Sequence, residues 1–399
     1  MTLSEEQKTG DSAPAVGGDS LWRTAGAWRG VGTALGIYLL TRVVQLVMLA
    51  WLTHAAGDQG GLRGRLLVWD AGWFLKVATT GYPHGYTTDM AGQLQGNELA
   101  FFPAYPMLIR LVAEFGVSPG TAAIGVSWVA STCAAVALYL LGTSLHSRRT
   151  GWALVGICMA APMSVVFSMA YSEGVFLALV AGMLVAAHRR VWWAAGLLGL
   201  AAALTRPTGA AAALALAVAA LMEAGRIRRE RTGNIWPPFA AAVIALAGVP
   251  AFLIWVGARV GDPSAWFRIQ AAGWGTSFDY GSSTLKFIST TLSAGDGWVP
   301  ISVALILIVA AVAAVVALAG KPWLPLAVYG VVAMVLVYGQ AGFYHSKPRL
   351  LVPVLLTLLP AAIAAGRARP RVAVLSIAAW AAFGLWYGAY LVAVWPYTI

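Results

Sequence analysis

Apolar residues in this chain neither alternate nor recur on one helical face. They come in near-continuous runs, many of about 17 to 25 positions, long enough to cross a hydrocarbon core of about 30 Å. The runs fall at roughly 31–52, 119–142, 150–170, 172–187, 191–204, 207–222, 236–258, 299–320, 323–343, 349–366 and 372–395. In lipid each segment must satisfy its own backbone, so one helix per run predicts an all-α polytopic membrane protein of about eleven transmembrane helices. Residues 99–115, with two prolines and Arg110, read as an interfacial or partly inserted helix.

Basic residues punctuate these runs. Arg23 and Arg29 precede the first; His146 to Arg149, His188 to Arg190, Arg226 to Arg231, Lys321, and Arg367, Arg369 and Arg371 follow at alternate junctions. With all of them cytoplasmic, the N-terminus is inside and residues 54–98 and 259–298 form two long external loops. One junction decides the register. Residues 191–222 could be a single helix, but Pro207 disfavours helical conformation at Arg206, and Thr205 to Gly209 reads as a break. Two short helices result, with Arg206 at their outer turn. Segments 172–187 and 191–204 are each near or below the length needed to span, which predicts a recess beneath the outer surface. The first 20 positions are polar and rich in Gly and Ser, and the expected disordered tail extends to about residue 25. The remainder, 26–399, reads as one transmembrane domain.

Composition excludes a water-soluble protein. The 399 residues are 60% hydrophobic and only 10% charged, against about 25% charged in soluble chains. Lys+Arg 26 against Asp+Glu 15 gives a formal +11; because these cations flank apolar runs, membrane orientation accounts for them and no nucleic-acid partner is expected. Cys133 and Cys158 lie inside apolar runs and offer no disulfide framework or metal spacing. No Walker-type loop, GxSxG elbow, HExxH or Asp-x-Asp pair occurs, so no cofactor is expected and a divalent metal has no Asp-x-Asp support.

Most acids fall on one side. Asp58, Asp70, Asp89, Glu98, Glu114, Glu173, Asp262, Asp279 and Asp296 fall outside on this topology, while Glu223 and Glu230 fall inside; a coupled transporter is expected to hold acids near the midplane. Asp70 opens a helix in the first loop with Trp73 and Phe74 on its face, and Trp69 before it. A carboxylate against aromatic rings suits a general base, although an N-terminal helix acid beside interfacial tryptophans has the same pattern. Asn97 to Pro106, with Glu98 and Tyr105, is either an aromatic belt or part of a substrate site. Tyr171-Ser172-Glu173 either caps a helix or binds hydroxyls and orients a base. Arg206, His345, Lys347 and Arg349, and less strongly Lys76, either snorkel to headgroups or bind phosphate.

Taken together, Trp69-Asp70-x-x-Trp73-Phe74-x-x-Val77-Ala78-x-x-Gly81-Tyr82, Phe101-Phe102-Pro103-x-Tyr105-Pro106, Tyr171-Ser172-Glu173, Arg206-Pro207-Thr208-Gly209 and Lys347-Pro348-Arg349 followed by Pro353 resemble the PIG-V family, GPI mannosyltransferase II and its bacterial relatives. The motifs run in order from about residue 69 to 353. The resemblance implies a GT-C-like bundle with a long first external loop. It implies an inverting glycosyltransferase that takes a sugar, typically mannose, from a polyprenyl-phosphate donor at the non-cytoplasmic face of a bacterial plasma membrane, with Asp70 as base. Two departures stand out: one acid rather than two at the Trp-Asp motif, and no reason for a GPI acceptor, which leaves a lipid or glycan acceptor. Glu173 is expected to assist Asp70; Trp69, Trp73, Lys76, Glu98, Tyr105, Tyr171, Arg206, His345, Lys347 and Arg349 are expected on substrate. The rivals are a transporter or lipid flippase, which needs a polar path across the membrane, and a structural partner in an envelope complex, which needs neither Asp70 nor Glu173.

Overall fold

The computed structural model describes residues 25–398, so the tail expected at 1–25 lies almost wholly outside the described residues. Seventeen α-helices follow in order: α1 Ala25–Ala55, α2 Gly61–Leu66, α3 Asp70–Thr80, α4 Ala104–Ala113, α5 Pro119–Leu145, α6 Arg148–Met159, α7 Glu173–His188, α8 Trp192–Ala203, α9 Gly209–Glu230, α10 Trp236–Val260, α11 Ala265–Trp274, α12 Ser282–Ala294, α13 Trp298–Ala319, α14 Leu324–Tyr338, α15 Lys347–Leu351, α16 Leu355–Arg367 and α17 Pro370–Ala393. One two-stranded hairpin, Thr87–Thr88 with Leu94–Gln95, is the only sheet among the described residues.

This is an all-α, multi-pass membrane protein. Six helices (α1, α5, α9, α10, α13 and α17) are long and apolar enough to cross a bilayer, or seven spans if α15 and α16, bent by 54°, count as one. Their outward faces are apolar: Leu39, Leu40, Val43 and Val47 on α1, and Val309, Val312 and Val315 on α13, are exposed. In water such patches would drive aggregation; in lipid they are solvated. Helices α4, α7, α8 and α14 are apolar but shorter. The run at 323–343 stops being helical at Tyr338, and the break at Arg206 separates α8 from α9. Where α8 packs on α10, a Cβ at Gly196 would come within 2.9 Å of the Ala241 Cα, so the small residue sets the helix spacing.

The run at 150–170 departs most from expectation. Helix α6 ends at Met159, Met163 turns left-handed at φ 70°, and Ser164–Phe167 forms a 3₁₀ turn before α7. Apolar composition does not guarantee a helix; the freed carbonyls need donors inside the protein, and neighbouring spans supply them. Arg42 of α1 donates to Ser164 O at 2.7 Å and to Met159 O. From α5, Ser131 Oγ donates to Phe167 O at 3.2 Å, Trp128 Nε1 to Ser168 O at 2.9 Å and Ser127 Oγ to Tyr171 O at 3.0 Å. The break therefore stands as a built feature, and it delivers Glu173 to the start of α7.

The segments 54–98 and 259–298 fold against one another over one end of the bundle. Arg259 donates to the carbonyls of Pro83 at 2.7 Å and Tyr82 at 2.8 Å, and Tyr86 donates to Asp262 at 2.5 Å. Gly96 and Gly273 meet backbone to backbone, where a Cβ on Gly96 would lie 2.6 Å from the Gly273 Cα. Farther along, the second loop pairs with the end of α14 through Ala341 N to Ser277 O at 2.8 Å and Asp279 N to Gly339 O at 2.9 Å.

Candidate active site

Under these loops lies a cavity of about 620 Å³, and four distant segments meet in its wall. Trp69 has φ 56°, a left-handed conformation that costs a residue with a Cβ on the order of 1–3 kcal/mol. The turn it makes sets Asp70 at the head of α3, where the helix N-terminus favours a carboxylate. Glu173 heads α7 after the break, Arg206 occupies the α8–α9 turn, and Arg349 lies in α15. Backbone contact ties these segments together: Ala104 N donates to Leu204 O at 2.9 Å, and Ala170 N to Leu66 O at 2.9 Å.

The four side chains form a continuous ion-pair chain. Arg349 Nη1 is 2.8 Å from Asp70 Oδ2, Arg349 Nε is 3.3 Å from Glu173 Oε1, and Arg206 Nη1 is 2.5 Å from the same Glu173 oxygen. Arg349 also lies over the Tyr171 ring at 5.1 Å. Glu173 and Arg349 are buried, so each needs the other: an unpartnered charge at that depth costs several kcal/mol. Lys347 is buried as well, and its ammonium donates to Val337 O at 2.8 Å and Gln340 O at 2.6 Å. An ammonium has three donors, so one is left over. The charged residues of the wall are Arg206, Lys347 and Arg349 against Asp70 and Glu173, three positive and two negative, a net of +1. A single negative charge would balance it.

Another part of the wall is aromatic. Trp73 stacks on Phe101 with ring centroids 5.8 Å apart and meets Trp274 edge-on at 5.7 Å; Phe101 and Trp274 are 5.3 Å apart. Gln270 Nε2 and Trp266 Nε1 both donate to Ala100 O, at 3.0 and 3.3 Å, which fixes α11 over this wall.

Of the residues expected on chemistry or substrate, Trp69, Asp70, Trp73, Glu173, Arg206, Lys347 and Arg349 line the cavity. Five do not. Tyr105 is fully buried in the core, its hydroxyl bonded to Ala123 O and Ser127 Oγ. Tyr171 lies beneath Arg349, its hydroxyl 3.4 Å from Val68 O. Lys76 and buried Glu98 are ion-paired to each other, and Lys76 also sits over the Trp73 ring, so both act on the aromatic wall from behind. His345 is buried beside Thr398. Trp274 and Gln270 line the cavity without having been singled out, and their signal was the aromatic and amide residues of the 259–298 loop; Gln340, just past α14, also lines it and carried no such signal. Arg42 was also missed, because its partners are backbone carbonyls that no motif records.

Among the described residues, no group of three or more His, Cys, Asp or Glu side chains gathers as metal ligands. No family model matches the chain, and no curated protein does.

Proposed function

We propose that the protein is a membrane glycosyltransferase that moves a sugar from a polyprenyl-phosphate donor to an acceptor hydroxyl, with inversion at the anomeric carbon. The observation that carries this reading is the ion-pair chain Asp70–Arg349–Glu173–Arg206, assembled from four segments in one cavity that is also lined by stacked aromatic rings. One face offers a carboxylate base beside guanidinium groups that fork onto phosphate. The other offers ring faces for the apolar side of a sugar. The motif resemblance to the PIG-V family specifies mannose as the sugar and a GT-C-like bundle as the scaffold.

In this reaction Asp70 takes the proton of the acceptor hydroxyl while that oxygen bonds to the anomeric carbon. The bond from carbon to phosphate oxygen breaks on the opposite side, and its electron pair leaves with the polyprenyl phosphate. Phosphate is a good leaving group, so stabilising its growing charge by Arg206, Arg349 and the spare donor of Lys347 replaces general-acid help. The incoming phosphate competes with the carboxylates for Arg349, which releases Asp70 from its ion pair as the donor seats.

The topology belongs to the same proposal: about eleven crossings, N-terminus cytoplasmic, the cavity extracytoplasmic, in a bacterial plasma membrane. Helix α8 has 12 residues, about 18 Å at 1.5 Å per residue, against a core of about 30 Å. Arg206 and Glu173 thus sit below the membrane surface, at a depth where a lipid phosphate can reach them while its tail stays in the bilayer.

Purified protein incubated with radiolabelled polyprenyl-phosphate mannose and a membrane extract tests the reading. Label passing to a new product supports transfer. Donor that moves across a vesicle unchanged would instead make the protein a carrier.

A further inference from the structure

At the opposite end of α9 from Arg206 lies a second cavity, of about 310 Å³, that the proposed reaction does not use. It is walled by Arg190 from the α7–α8 turn, by Glu223, Arg226 and Arg229 near the end of α9, and by Trp192 and Trp323. Buried Glu223 receives Arg226 at 2.7 Å and Arg190 Nε at 3.2 Å, so one carboxylate holds two guanidinium groups from different segments on one side of the opening. Arg226 is also paired with Glu230. Arg229 has no acidic partner among the described residues. The wall carries three arginines against one glutamate, a net of +2.

Two further observations narrow the ligand. Arg190 has φ 60°, a left-handed conformation that glycine or asparagine adopts at lower cost. The strain is held where the guanidinium meets Glu223, which keeps that charge at the rim. Met222 of the lining is exposed, and so are Trp193, Leu221 and Leu324, each next in sequence to a lining residue. A basic residue that merely marks orientation needs neither a cavity nor a shared buried counter-ion. A free phosphate would leave the apolar surround without a role.

We infer that this cleft binds the phosphate headgroup of an anionic membrane phospholipid. Arg190, Arg226 and Arg229 face the phosphate, and the acyl chains lie along Trp193, Leu221, Met222 and Leu324. The site is independent of glycosyl transfer.

The full chain, purified and delipidated in neutral detergent, tests this with phosphatidylglycerol, phosphatidylcholine and glycerol phosphate as separate additions. Phosphatidylglycerol is expected to raise the melting temperature by about 2–4 °C and the other two to leave it in place. Arg229→Gln, outside the Glu223 ion pairs, is expected to weaken phosphatidylglycerol retention about tenfold by native mass spectrometry, which corresponds to one lost charge-assisted contact. Arg371→Gln, exposed at another basic junction, is expected to retain lipid as the wild type does. Equal retention in Arg229→Gln and wild type overturns the site. An equal shift from phosphatidylcholine overturns the anionic specificity, and an equal shift from glycerol phosphate overturns the lipid as ligand.

Discussion

Asp70 and Arg349 are held 2.8 Å apart, although one heads a short helix between α1 and α4 and the other lies in the bent pair α15–α16. Arg349 reaches Glu173 with its other edge, so a single guanidinium bridges the carboxylate proposed as base and the carboxylate buried at the head of α7. The pair closes the cavity wall between the loops and the bundle. In the proposed reaction this pair holds the base until the donor phosphate arrives to share the cation.

Arg349→Gln is therefore expected to lower kcat/KM on the order of 10²–10³-fold, because charge on the departing phosphate loses its principal donor. Arg349→Lys is expected to recover only part, since an ammonium cannot fork between two partners. Steady-state kinetics with varied donor check this. Unchanged constants in Arg349→Gln and Arg206→Gln would remove both arginines from the phosphate.

Arg42 supports the break between α6 and α7 through two carbonyls and Ser168 Oγ at 3.1 Å. Arg42→Leu strands these acceptors in the membrane interior and is expected to cost about 3–5 kcal/mol. Ser131→Ala, which removes one neutral bond, is expected to cost about 1 kcal/mol. Thermal unfolding in detergent should rank the two variants in that order. Equal stability of Arg42→Leu and wild type would mean the break holds without it.

The contact between segments 54–98 and 259–298 carries a pH dependence. The Tyr86 hydroxyl, then Ser264 and Arg268, hold the Asp262 carboxyl well below the usual carboxylate range. A folded value below the unfolded one gives stability that is present above the unfolded value, and lost as pH falls through the folded one. Loop contact is therefore expected to persist below about pH 4, where an ordinary Asp is protonated, and to fail in stronger acid. Tyr86→Phe is expected to move that loss to higher pH. Hydrogen exchange at 82–88 and 262–268 measures it, and an identical profile in the variant would contradict the assignment.

Orientation is open to single-cysteine labelling in a background that lacks exposed Cys133 and buried Cys158. An impermeant reagent is expected to reach Gly92→Cys and Asp279→Cys in intact cells, and to miss Arg229→Cys and Arg369→Cys. Labelling at position 229 from outside would invert the cavity.

Much of this was legible in the sequence, for identifiable reasons. Hydropathy locates the apolar runs, and Pro207 marks the break that brings Arg206 to a turn. The tryptophans and Phe74 around Asp70 flag that acid, and the position of Tyr171-Ser172-Glu173 at a turn between two apolar runs flags Glu173. Pairing was not legible. Arg349 reads as a free phosphate ligand, and nothing in Lys347-Pro348-Arg349 reveals that the arginine spans two carboxylates while the lysine is tied to the end of α14. Nor does hydropathy distinguish a helix from an apolar segment whose carbonyls a distant arginine satisfies, which is why 160–172 and Arg42 went unread together. Tyr105 sits in an aromatic run whose Phe101 and Phe102 line the cavity while it is itself buried in the core, and only packing decides which.

The central claim is that Asp70 is the base for glycosyl transfer in this cavity, and a transfer assay of Asp70→Asn against wild type tests it most directly. Purified proteins matched for melting temperature are given radiolabelled polyprenyl-phosphate mannose and a membrane extract, and labelled product is counted over time. Asparagine keeps the size and accepts from Arg349 but cannot take a proton, so the account predicts loss of on the order of 10²–10⁴-fold in rate, with donor still bound. Product formed by Asp70→Asn at the wild-type rate would contradict it.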